Sequence, residues 1–98
     1  MQALAVDDLL TSPDVDVVLN LTIPAAHASV ATRAVAAGKH VYGEKPLALS
    51  TAEAAPVLEA AARAGVRVGS APDTVLGTGI QTARARSCLL YTSDAADE

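Results

Sequence analysis

Gly43-Glu44-Lys45-Pro46 places a carboxylate, an ammonium and a proline side by side, directly after the short apolar-flanked run Lys39-His40-Val41-Tyr42. That run reads as a strand, and the loop leaves its carboxyl end, where open α/β sheets bind their ligands. An ammonium held beside a hydroxyl or carbonyl oxygen can stabilise developing alkoxide charge or relay a proton. Lys45 is therefore the residue of chemical interest, with Glu44 beside it as a hydrogen-bond acceptor. Both also have an ordinary reading, as a solvated lysine and the glutamate that pairs with it or with Lys39.

The flanking segments must position that loop. Met1 to Ser12 reads as a short acidic helix, stopped at Ser12-Pro13-Asp14 by proline's restriction of the residue before it. Asp16 to Thr22 is a continuous β-branched and aliphatic run, expected as a strand covered on both faces. Pro24 opens a helix from Ala25 to Ala37, with Val30, Ala31, Ala34 and Val35 on one stripe and Gly38 as its left-handed cap. Ser50-Thr51-Ala52-Glu53 is a capping box that launches a helix to Ala64, ended by Gly65. Pro56 falls inside it, where a lost hydrogen bond costs about 3 kcal/mol, so a kink or early break is expected. Val66 to Ser70 is the third strand, and Gly77 to Arg86 can begin another helix.

Strand, helix, strand, helix, strand with short turns is the pattern of stacked βαβ units, with parallel pairing and right-handed crossovers. The fold class is α/β. The run Ser87 to Glu98 carries no periodicity that would dock it on this sheet and reads as a non-native or disordered tail. Residues 1–86 form the folded unit in this reading.

Composition narrows the function classes. The chain has 98 residues, a formal charge of −4 and no Phe or Trp, so its core relies on close packing of Ala, Val and Leu. The acidic balance lacks the clustered Lys and Arg of a nucleic-acid surface. Cys88 is alone, which excludes an intrachain disulfide framework and a Cys-based zinc site; no metal site is expected. Val17 to Thr32, the longest stretch without charge, includes Asn20, Pro24 and His27 and is shorter than a membrane span. The acidic N-terminal segment does not read as a secretory signal, and the expected location is cytoplasmic.

Leu19-Asn20-Leu21-Thr22-Ile23-Pro24-Ala25-Ala26-His27, then Ala37-Gly38-Lys39-His40-Val41 and Glu44-Lys45-Pro46, resemble the Gfo/Idh/MocA oxidoreductases in order and spacing. The resemblance covers Leu4 to Ala85 and matches the second half of the family's N-terminal Rossmann domain. It implies a partial Rossmann-like parallel sheet with helices on both faces, lacking the first βαβ unit and the C-terminal substrate domain. It further implies NAD or NADP as cofactor and a sugar, polyol or related hydroxyl compound as substrate, with homo-oligomers formed through the absent domain. Thr22, Pro24, His27, Glu44, Lys45 and Pro46 would border the cofactor, Lys45 would handle the proton, and Asp73 would lie on the substrate side. In that family Lys45-Pro46 is often a cis peptide. Without the Gly-rich fingerprint and the second domain, the fragment alone is expected to be inactive.

Competing readings exist for each. A non-catalytic dinucleotide- or sugar-sensing module would keep the same half-domain without redox chemistry. His27 could be a satisfied polar group at a helix entrance, and His40, within a strand, is read as structural. Gly77-Thr78-Gly79 lacks the third glycine of a dinucleotide loop and is rejected as one.

Overall fold

The computed structural model describes residues 1–72 and 74–97. Three strands form one parallel sheet in the order β1 (Val17–Asn20), β2 (His40–Gly43), β3 (Val68–Ser70). Helix α2 (His27–Ala36) connects the first pair and α3 (Thr51–Ala64) the second. Helix α1 (Val6–Thr11) precedes the sheet and α4 (Thr78–Asp97) follows it. The register sets Asn20 against Gly43 and Gly43 against Ser70, so all three strands finish level at one edge. No helix among the described residues is long and apolar enough to cross a membrane.

The core is small and tightly drawn. Leu10, Val18, Ala31, Ala34, Val35, Val41, Val57 and Ala61 are buried in one cluster, with Ala34 fully enclosed. Alanine at Ala31, Ala34 and Ala61 lets α2 approach both the sheet and α3, which compensates for the missing aromatic residues. The stripe expected on α2 is present in Ala31, Ala34 and Val35, with Val30 half-buried beside it.

Both crossover helices end as glycine demands. Gly38 has φ 76° and Gly65 φ 70°, the left-handed region that residues with a Cβ enter only at a cost. The Lys39 N–H then reaches back to the Ala34 carbonyl at 3.0 Å, and the Val66 N–H to that of Ala61 at 3.1 Å. This return shortens the third strand relative to expectation, since the Val66 amide is still engaged by α3 and pairing begins at Val68.

Four further expectations are revised. The first helix starts at Val6 rather than Met1, because Ala5 is extended and Asp7 and Asp8 occupy the first turn. Ser50 Oγ accepts the Glu53 N–H at 3.2 Å, but Glu53 returns to the Leu49 N–H rather than to that of Ser50. α3 continues through Pro56, which lies exposed near the helix start; the Ala52 carbonyl it leaves without an amide partner belongs to an exposed residue and can be hydrated. β1 buries only alternate residues in this chain, Val18 and Asn20, while Val17 and Leu19 are exposed.

The segment from Ser87 continues α4 as helix to Asp97. Residues 78–90 of that helix are exposed apart from half-buried Gln81. A radius of gyration of 18.0 Å, against about 13 Å for a compact chain of this length, reflects that projecting helix.

Candidate functional site at the carboxyl edge of the sheet

Parallel pairing brings the exits of β1 and β2 together, and each delivers part of the site. β1 ends at buried Asn20, whose Nδ2 donates to the His27 carbonyl at 3.0 Å. Its Oδ1 accepts the Thr22 hydroxyl at 2.7 Å. One amide therefore fixes both the strand exit and the first residue of α2. The Asn20 carbonyl also accepts the Glu44 N–H at 3.0 Å, the first rung beyond β2.

The chain then turns through exposed Ile23 into a 3-10 turn, Pro24–Ala26, in which proline's missing N–H is no loss. His27 follows as the first residue of α2 and is 2% exposed. Its Nε2 lies 2.9 Å from the Thr22 carbonyl, and its Nδ1 lies 2.5 Å from the Pro46 carbonyl. The ring thus bridges the two strand exits.

Above it runs the Glu44-Lys45-Pro46 loop. Lys45-Pro46 is cis. Glu44 Oε1 accepts the Lys45 N–H at 2.9 Å, curling the carboxylate back over its own turn. Glu44, Lys45 and Pro46 are exposed, as are Thr22 and Pro24. Beneath them is a cavity of about 10 Å³ lined by Asn20, His27, Gly43, Glu44, Leu47 and Ser70 among others, at the lower limit for one water. A ligand would have to lie on the outer rim, over the loop.

The sequence-derived set is therefore divided. Thr22, His27 and Pro46 are brought into contact, Glu44 and Lys45 stand on the rim beside them, and Pro24 lies at the helix entrance. Asp73 lies outside the described residues. Asn20 was passed over by sequence reasoning, although a lone amide inside an aliphatic strand was the available signal. His40 accepts the Arg67 N–H at Nδ1, 3.0 Å, and ties β2 to the turn before β3. Among the described residues no group of three or more His, Cys, Asp or Glu could hold a metal ion.

Exposed Thr22, Glu44 and Lys45 bring a hydroxyl, a carboxylate and an ammonium to one edge of the sheet.

The model of an oxidoreductase family with an NAD-binding Rossmann fold matches residues 2–71. The 1,5-anhydro-D-fructose reductase of Ensifer adhaerens is 41% identical over 66 residues, 67% of this chain and 20% of that protein. Inositol 2-dehydrogenase of Salmonella typhimurium is 43% identical over 61 residues, 62% of this chain and 18% of that protein. The chain thus spans about a fifth of the length of the curated relatives it matches. Among solved structures, biliverdin reductase of Synechocystis in complex with biliverdin and NADP+ superposes with a TM-score of 0.78 at 33% identity. That match covers 83% of this chain and 26% of the reductase. With the family model matching most of its length and its α/β sheet superposing on such enzymes, the chain belongs to the Gfo/Idh/MocA oxidoreductase family.

Proposed function

We propose that this chain supplies the nicotinamide-side rim of an NAD- or NADP-dependent oxidoreductase acting on a sugar, polyol or related hydroxyl compound. The convergence of Thr22 and the Lys45 loop at one sheet edge carries the reading, and the sugar and polyol enzymes among the relatives support the substrate class. A bound nicotinamide would take or give the hydride. Lys45 would hold its ammonium at the substrate oxygen, stabilising negative charge there and, as the carbon is oxidised, releasing a proton to solvent while taking the hydroxyl proton in its place. Glu44 would accept a ribose hydroxyl, Thr22, Pro24 and Pro46 would border the ring, and His27 would lie beneath them. Asp73 would face the substrate. The chain alone would turn over nothing, since a substrate pocket needs a second wall that this rim does not provide.

The test is an enzyme of full family length carrying this segment, compared with its Lys45→Ala variant. Retained cofactor affinity with lost turnover supports the reading. Unchanged turnover removes Lys45 from it, and cofactor binding without turnover in the parent enzyme favours a non-catalytic dinucleotide- or sugar-sensing module instead.

A further inference from the structure

Three features compete for notice beyond that reading: the apolar groove between α1 and β1, the exposed outer face of the sheet, and the buried histidine under the loop. Only the histidine has polar partners that say what it does. We propose that His27 is the positioning residue of the Lys45 loop, a two-armed donor that straps the exit of β2 to the exit of β1.

The argument begins from hydrogen-bond inventory. A neutral imidazole has one N–H and one bare nitrogen, whereas the imidazolium has two N–H groups and no acceptor. Both partners of His27 are backbone carbonyls, Thr22 O at 2.9 Å and Pro46 O at 2.5 Å, and neither can donate. The ring that satisfies both carries a proton on each nitrogen. A buried cation needs compensation, and the surroundings supply it. The two carbonyl dipoles point at the ring, and Glu44 lines the same cavity from the loop. The other residues lining that cavity are uncharged: Asn20 from β1, Ala31 from α2, Val41 and Gly43 from β2, Leu47 from the loop, and Gly69 and Ser70 from β3.

Geometry explains why the strap falls here. Asn20 holds the His27 backbone through its carbonyl, so the ring projects from a fixed point. Pro46 follows Lys45 directly, and a clamp on its carbonyl limits where the Lys45 backbone can go. Its importance for chemistry rests on the reading that Lys45 handles the proton, but the strap itself does not.

The experiment uses the 98-residue chain, labelled with nitrogen-15. In the parent chain the ring nitrogens of His27 are expected to resonate as two protonated donors. A ring with one bare nitrogen overturns the proposal, whether or not any variant folds. In His27→Ala, amide exchange at Glu44, Lys45 and Leu47 is expected to rise about tenfold to a hundredfold, the loss of one charge-assisted bond. Added imidazole should fill the vacated space and restore slow exchange, which a general loss of packing would not permit. Exchange unchanged in His27→Ala, or not recovered with imidazole, also overturns it. These readouts are independent of turnover, so a strap that stands while Lys45→Ala keeps full activity would refute the catalytic reading alone.

Discussion

His27 and Pro46, 19 residues apart in sequence, meet with Nδ1 2.5 Å from the carbonyl oxygen, joining the start of α2 to the loop that carries Lys45. Neither residue belongs to a strand, yet their contact ties together the segments that leave two paired strands. The ladder ends with the Glu44 N–H on the Asn20 carbonyl, whereas the ring reaches beyond it on both sides. A rim assembled in this way can hold a defined shape without a large core beneath it.

Asn20 is the next member of that assembly. Asn20→Ala would remove a donor from the His27 carbonyl and an acceptor from the Thr22 hydroxyl. One of the two partner groups belongs to a buried residue, so a loss of about 2–3 kcal/mol is expected in urea unfolding. The Glu44 amide signal should shift as well, because its acceptor is the Asn20 carbonyl.

For Lys45, Lys45→Ala in an enzyme of full family length is expected to lower kcat by about 10²- to 10⁴-fold, the usual range for a proton-handling group. KM should change far less. Glu44→Gln, which keeps an oxygen for the Lys45 amide but removes the charge, should weaken cofactor binding more than it lowers kcat. Steady-state kinetics and cofactor titration separate the two effects.

Helix ends offer a test of the scaffold. Gly38→Ala should cost about 1 kcal/mol, because alanine must adopt the same positive φ with no compensating contact. Gly38→Asn should cost less, since asparagine tolerates that region. Chemical denaturation of the two variants against the parent chain measures the difference.

Pro56 presents the opposite case. It is exposed and within a continuous helix, so Pro56→Ala restores an amide to the Ala52 carbonyl and removes nothing from the core. Stability is expected to rise by about 1–3 kcal/mol. A decrease in the denaturation midpoint would show that the proline ring has a packing role.

Much of the scaffold was legible from local chemistry. Gly38 and Gly65 announced the helix ends, Ser50 announced its cap, and the aliphatic runs around Val18 and Val41 announced strands. The position of the Glu44-Lys45-Pro46 loop was legible too, because the run before it reads as a strand and β2 does end at Gly43. What local pattern could not show was direction. Nothing near His27 in sequence says that its ring turns under a proline far along the chain, since that depends on how β1 and β2 come together. The coverage of β1 was misread for a related reason: an unbroken aliphatic run looks the same whether one face or both are covered by the same chain. Pro56 was expected to kink or break its helix, whereas the helix runs on through it, the lost bond falling on an exposed carbonyl.

Val17 and Leu19 on the outer face of β1, with Tyr42 beside them on β2, form an uncovered greasy row next to a strand edge that has no partner strand among the described residues. Such a row recruits whatever extended chain it meets, including another copy of itself. Purified at high concentration, this polypeptide should cloud with time, and charged replacements at Leu19 should keep it clear while leaving the buried side of the strand undisturbed.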